Sequence, residues 1–74
     1  MERYRNLSGD SGVAAYEIRR GEIVVAFFND GKYRYTNASA GAGHIANMQR
    51  LARAGRGLST YISQEKPGYA ERWD

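Results

Sequence analysis

Cysteine is absent from this 74-residue sequence, and histidine occurs only once, at His44. Without cysteine the chain can form neither disulfide bonds nor thiolate metal sites, and a catalytic triad built on a thiol is excluded. A single histidine argues against zinc, whose sites combine several histidine and cysteine ligands. The sequence also shows no paired carboxylates and no nucleophile beside a base. We therefore expect no metal, no cofactor and no enzymatic activity.

Long apolar runs are missing as well. The longest, Ile23–Phe28, is far shorter than the roughly 20 residues that a helix needs to cross a bilayer. Residues 1–12 contain arginines but no apolar core region, so they do not form a signal peptide. We therefore expect one small domain of bacterial type in the cytoplasm, with no membrane partner.

Acidic residues are absent from one long segment. Between Lys32 and Gln64 there is no aspartate or glutamate, whereas the flanking residues 1–31 and 65–74 each hold more acids than bases. The net charge is only +3, but the positive charge is concentrated in this segment, on Lys32, Arg34, Arg50, Arg53 and Arg56. Such an asymmetry predicts an anionic partner.

Alternating apolar and polar side chains predict three antiparallel strands, which lie within Val13–Arg19, Glu22–Phe28 and Lys32–Thr36. A two-residue turn at Arg20–Gly21 joins the first two strands. The cross-strand pairs are then Ile18 with Ile23, Tyr16 with Val25, and Ala14 with Phe27.

The second turn allows two registers. A two-residue loop would pair Phe28 with Tyr33, whereas a three-residue loop over residues 29–31, with Gly31 in a left-handed bulge position, pairs Phe27 with Tyr33. We prefer the second, because it places all three strands in one consistent register. The shared apolar face then consists of Tyr16, Ile18, Ile23, Val25, Phe27, Tyr33 and Tyr35. The opposite, open face carries Val13, Ala15, Glu17, Arg19, Val24, Ala26, Phe28, Lys32, Arg34 and Thr36.

Two helices are predicted after the strands. Ser39 is a suitable N-cap for a helix that runs to about Ala54 and is closed by Gly55. A second, shorter helix covers Leu58–Glu65, and Pro67–Gly68 ends it. The residues that face the sheet at helical spacing are Ile45, Met48, Leu51 and Ala52 in the first helix, and Leu58, Tyr61 and Ile62 in the second.

The predicted fold class is therefore α+β, a three-stranded antiparallel β-meander followed by two short helices packed on one face (β-β-β-α-α). Residues 1–12 form a flexible N-terminal lead-in and residues 13–69 the single domain. Residues 70–74 form a C-terminal tail, whose Trp73 is available, with Tyr69, to cover apolar surface.

Several of these residues carry a resemblance to a known family. An alternating strand ending in Phe27, a turn at Gly31, and the Tyr33-Arg34-Tyr35 triplet are followed by a helix, a small-residue turn at 55–57, and Tyr61-Ile62. In this order the chain resembles the KTSC domain, a module at the C-terminus of some lysyl-tRNA synthetases and also a stand-alone small bacterial protein.

The resemblance extends from about Val13 to Tyr69 and is closer to the stand-alone type. Gly31 stands two residues before Tyr33 where the family pattern has three, and the link before the helix lacks the proline of synthetase-attached members. The family's attachment to a synthetase implies RNA binding. Tyr33 and Tyr35 are its motif residues. The need of the helix for apolar partners favours the core for both, and stacking on bases is the alternative.

The residues predicted to bind RNA or another nucleic acid follow from charge and from the open face. Arginine and lysine side chains neutralise phosphates, and an exposed aromatic ring stacks on bases. The candidates are Lys32, Arg34, Arg50, Arg53 and Arg56 for phosphates and Phe28 for stacking. The alternative is a protein partner or a homodimer that uses Val24, Ala26 and Phe28 as an apolar patch.

Overall fold

A computed structural model describes residues 1–74 and contains one antiparallel sheet and three helices. The strands are β1 (Glu2–Arg3), β2 (Val13–Arg19), β3 (Glu22–Phe27), β4 (Lys32–Thr36) and β5 (Glu71–Trp73). Between β4 and β5 come the helices α1 (Asn37–Ala40), α2 (Ala42–Ala54) and α3 (Leu58–Glu65). The predicted α+β class is confirmed. The predicted number of elements, three strands and two helices, is wrong, because the sheet has five strands and there are three helices.

The two additional strands lie at the edges of the sheet, whose order is β1-β2-β3-β4-β5. β1 pairs with β2 through Glu2–Tyr16 and Arg3–Ala15, and β5 pairs with β4 through Lys32–Trp73 and Arg34–Glu71. Strands of two and three residues are too short to show a period of two in the sequence. Both termini, which were predicted to lie outside the domain, therefore contribute to the sheet.

The register of the first hairpin is confirmed, with one difference. Ile18 lies opposite Ile23 and Tyr16 opposite Val25, but a bulge between Val13 and Ala15 interrupts the pairing. Val13, rather than Ala14, is therefore opposite Phe27, and it turns away from the open face into the core, where it is completely buried.

The register predicted for the second hairpin is wrong by two residues. Tyr33 pairs with Val25 rather than with Phe27, and the Phe27 amide donates to the Gly31 carbonyl at 2.9 Å. Gly31 has φ +72°, as a left-handed position requires. Because side chains alternate with a period of two, a slip of two residues keeps the predicted faces of Tyr33 and Tyr35.

The first predicted helix is divided in two. Thr36, not Ser39, is the N-cap of α1. The Thr36 hydroxyl accepts a hydrogen bond from the Ser39 amide, and the Ser39 hydroxyl accepts one from the Thr36 amide. α2 begins after Gly41 and ends at Ala54, and Gly55 closes it as predicted, in a left-handed conformation. The bounds predicted for α3 are confirmed.

The core lies between the sheet and the helices. It is formed by Tyr4, Val13, Tyr16, Ile23, Val25, Tyr35, Ile45, Met48, Ala52 and Leu58. Tyr4 is only 3% exposed, so the segment before Val13 is packed into the domain. None of the three helices has the length and apolar character needed to span a membrane.

Candidate nucleic-acid interface

The open face of the sheet carries compensated charge. Arg34 lies between two carboxylates: its Nη1 is 2.9 Å from Glu22 Oε2 and its Nε is 3.0 Å from Glu71 Oε1. Beside this pair, Arg19 Nε contacts Glu17 Oε2 at 2.5 Å, and the hydrogen bond from Arg19 lowers the pKa of Glu17. The guanidinium of Arg34, predicted to bind phosphate, is thus already occupied by acidic partners within the protein.

These ion pairs also reduce the apolar patch predicted on the open face. Val24 lies between its cross-strand neighbours Glu17 and Arg34 and is only 3% exposed, although it belongs to no part of the core. Long charged side chains can cover apolar surface with their methylene groups, which accounts for this burial. Val24 is therefore unavailable as part of an exposed apolar patch.

Phe28 and Lys32 are found near one end of the open face. Phe28 follows β3 and is 65% exposed, and its backbone amide donates to the Gly12 carbonyl at 2.9 Å. Lys32 lies in a row across the sheet between Ala26 and Trp73, and takes part in no ion pair. Phe28 is thus an exposed ring on an anchored backbone.

The three other predicted arginines belong to the helical side of the molecule. Arg50 and Arg53 lie three residues apart on α2 and are exposed, and Arg56 follows in the turn before α3. Because the sheet separates them from Lys32 and Arg34, the five predicted phosphate ligands do not form one surface. They form two, and only the helical one lacks acidic partners.

The N-terminal segment brings Arg5 to the end of α2, whereas Arg3 lies on the adjoining sheet edge, opposite Ala15. The Arg5 guanidinium donates to the backbone carbonyl of Arg53, and the Leu7 amide donates to the Gly55 carbonyl at 2.8 Å. A Cβ at Gly55 would lie 2.8 Å from Arg5 Cβ, so the absence of a side chain permits this close approach. Arg5 is consequently held against the end of α2.

Together these residues form a cleft of about 850 Å³, which we call the basic cleft and define by Arg3, Arg5 and Arg53. None of the three takes part in an ion pair. Two carboxylates share the wall: Glu17 pairs with Arg19, whereas Glu2 accepts a hydrogen bond from the neutral Tyr16 hydroxyl at 3.1 Å and keeps its charge, so three arginines face one unpaired carboxylate. The uncompensated charge of the cleft is therefore positive.

Sequence reasoning missed Arg3 and Arg5. The signal was the alternation Arg3-Tyr4-Arg5, in which an inward tyrosine separates two outward cations as in a strand. It was overlooked because three alternating residues are common by chance, and because charge was counted along the chain rather than around the fold.

The two motif tyrosines face the helices, as expected. Tyr35 is 3% exposed, and burial raises its pKa to about 12. Tyr33 is half-buried and packs edge-on against Phe27, with a ring-centroid distance of 5.5 Å. Its hydroxyl donates to Asp30 Oδ2 at 2.9 Å, and this bond, together with one from Arg72, lowers the pKa of the Asp30 carboxyl.

The single histidine belongs to a small polar cluster at the beginning of α2. His44 Nδ1 and the Tyr61 hydroxyl lie 2.5 Å apart, and Asn47 Nδ2 donates to the same hydroxyl at 3.3 Å. These contacts join α2 to α3. No group of three or more His, Asp or Glu side chains is arranged to hold a metal ion.

Comparison of the chain with family models, with curated proteins and with solved structures found no significant match.

Proposed function

We propose that this protein is a non-enzymatic binding module, related to the KTSC domain, that binds RNA in the cytoplasm by electrostatic contacts. The observation that carries the proposal is the basic cleft at the β1 edge of the sheet, which is lined by three arginines that take part in no ion pair. Arg50, three residues before Arg53 on α2, and Arg56, in the turn that follows, are also exposed and take part in no ion pair.

The geometry changes the predicted contact set. Arg50, Arg53 and Arg56 remain phosphate ligands in the proposal, and Arg3 and Arg5 join them. Lys32 and Phe28 belong to the other face, and Arg34 is engaged by Glu22 and Glu71. Arginine suits this role, because its planar guanidinium presents several donors to phosphate oxygens and keeps its charge at any physiological pH.

The affinity should depend strongly on salt. Each phosphate neutralised on a single strand contributes about −0.7 to the slope of log K against log salt concentration. If three to five arginines take part, the expected slope is roughly −2 to −3.5. Such a surface binds many sequences with similar, weak affinity, because phosphate contacts carry no sequence information.

A titration of amide-labelled protein with short single-stranded RNA, followed by two-dimensional NMR at low and at high salt, tests the proposal. Shifts should cluster at residues 3–5 and 50–57 and disappear at high salt. Arg50→Glu combined with Arg53→Glu should abolish them while the spectrum stays folded, since both side chains are exposed. Absence of shifts at low salt, or shifts confined to Phe28 and Lys32, would refute the basic cleft as the RNA site.

A protein-interaction or homodimer module is the second candidate. It is supported by Phe28, which is 65% exposed at an anchored position of the hairpin. A dimer formed through this ring should give a molecular mass that rises with concentration, measured by sedimentation, and Phe28→Ser should return it to the monomer. A monomeric mass at every concentration would eliminate the homodimer.

A further inference from the structure

A second cavity lies at the opposite edge of the sheet from the basic cleft. It is a groove of about 630 Å³ between α3 and the β4 side of the sheet, within the size range of small-molecule sites. Its wall is largely aromatic and apolar, and we call it the Tyr69 groove. The residues that define it are Phe27, Tyr33, Tyr35, Ile62, Lys66 and Tyr69.

Tyr69 is exposed and yet rigidly held. Its side chain is 52% exposed, while its ring meets Tyr33 edge-on at 5.0 Å and Tyr35 at 6.4 Å. The backbone on either side is anchored: the Gly68 carbonyl accepts from the Ser39 hydroxyl at 2.8 Å, and the Ala70 amide donates to the Arg34 carbonyl at 2.8 Å. An exposed ring held in this way can bind a flat partner with little further loss of conformational entropy.

The close packing of this segment limits any movement of Tyr69. Pro67 is buried, and a Cβ at Gly68 would lie 2.5 Å from the Ser39 carbonyl oxygen. The chain therefore runs directly against α1, where any side chain at position 68 would collide with the backbone. The position of Tyr69 is thus set by the fold and does not depend on a ligand.

The free charge of the groove is positive. Asp30 lines it, but one carboxylate oxygen accepts from Arg72 at 3.1 Å and the other from the Tyr33 hydroxyl at 2.9 Å. Lys66, at the end of α3, takes part in no ion pair. A ligand that fits both features carries a flat ring for Tyr69 and a negative group for Lys66.

We propose that the Tyr69 groove binds one nucleotide of single-stranded RNA, with the base packed on the Tyr69 ring and a phosphate beside Lys66. Ser59 and Ser63, one helical turn apart on α3, supply hydroxyls to the edge of the base. The inference rests on the proposed function for the source of the nucleotide, but the groove is separate from the basic cleft. The two sites can therefore be tested independently.

The test is an NMR titration with four probes: adenosine monophosphate, adenosine as a control without a phosphate, ribose phosphate as a control without a base, and a short oligoadenylate. Adenosine monophosphate should shift the resonances of Tyr69, Lys66 and Ser63, whereas ribose phosphate should not. Tyr69→Ala should weaken this binding about tenfold or more, and Tyr69→Phe should preserve it because the ring remains. Lys66→Asn, which tolerates the left-handed backbone at this position, should weaken binding of the nucleotide but not of adenosine.

Three results would overturn the proposal. They are equal affinity of Tyr69→Ala and wild type for adenosine monophosphate, equal shifts from ribose phosphate, or binding of the free nucleotide without binding of the oligomer. Arg53→Glu separates this inference from the proposed function. That variant should lose salt-dependent RNA affinity while the shifts of Tyr69 with adenosine monophosphate persist.

Discussion

Single side chains in this protein derive their properties from the depth at which the fold places them. Tyr33 and Tyr35 are two residues apart on one strand, but Tyr35 reaches the core while Tyr33 remains half-buried at its margin. Burial raises the pKa of Tyr35 to about 12 from an ordinary value of 10.0. The pKa of Tyr33 is also raised, chiefly by burial and then by the hydrogen bond to Asp30.

The Tyr35 shift predicts a loss of stability in alkali. The folded pKa is higher than the unfolded one, so the stabilisation is complete below pH 10 and is lost as the pH rises toward 12. A shift of this size corresponds to roughly 3 kcal/mol in the free energy of unfolding. Urea denaturation at a series of pH values should show a steeper loss in this window for wild type than for Tyr35→Phe. Identical dependence of stability on pH for the two proteins would contradict the predicted contribution of Tyr35.

At the scale of the element, the N-terminal segment completes a helix that is distant in sequence. The N-cap residue of α3 is Gly57, which has no side chain to accept a hydrogen bond. Instead, the Leu58 amide at the start of α3 donates to the Tyr4 hydroxyl at 3.3 Å. Tyr4 therefore fills the core beneath β1 and also caps α3.

Substitutions at Tyr4 should measure this double role. Tyr4→Phe keeps the ring but removes the acceptor, at a cost of about 1 kcal/mol in the free energy of unfolding. Tyr4→Ala also empties part of the core and should cost roughly 3–5 kcal/mol. Leu7→Ala, at a side chain 53% exposed in the same segment, is the control and should change stability by less than about 0.5 kcal/mol.

Urea denaturation followed by circular dichroism measures all three variants. If Tyr4→Ala were no more destabilising than Leu7→Ala, residues 1–12 would be the loose lead-in that the sequence predicted, and the packing of Tyr4 would be refuted.

At the scale of the whole molecule, the distribution of charge matters more than the total. The net charge is only +3. The open face of the sheet neutralises Arg19 and Arg34 through Glu17, Glu22 and Glu71, whereas the arginines of the basic cleft, at the β1 edge, take part in no ion pair. The absence of acids from residues 32–64 pointed to Arg53 but not to Arg3 or Arg5, and it could not indicate that Arg34 is neutralised by acids outside that segment.

Two single substitutions that lower the net charge equally distinguish the basic cleft from the open face of the sheet. Arg53→Gln and Lys32→Gln each lower the net charge of +3 by one, yet only the first removes a cation from the basic cleft. Arg53→Gln should reduce the salt slope of RNA binding by about 0.7, and Lys32→Gln should leave it unchanged. Fluorescence anisotropy with labelled single-stranded RNA at several salt concentrations measures both. Equal effects would mean that RNA responds only to the overall charge of the protein.

Local patterns in the sequence were sufficient for the class, the three central strands, the C-terminal end of α2 and the bounds of α3. Alternation located β2, β3 and β4, helical spacing identified the buried stripe of α2, and Gly55 marked its end, because each of these signals arises between neighbouring residues. The bulge beside Ala14 and the two-residue slip of the second hairpin were decided by packing, since several registers satisfy the same alternation.

What only the tertiary structure decided are the contacts between residues far apart in the chain. β1 and β5 exist because the edges of β2 and β4 are there to pair with them, and neither is long enough to be specified alone. The basic cleft joins Arg5 to Arg53, and the Tyr69 groove joins α3 to β4. A sequence determines which residue types are available and how they alternate, whereas surfaces of this kind depend on distances that are established only when the core closes.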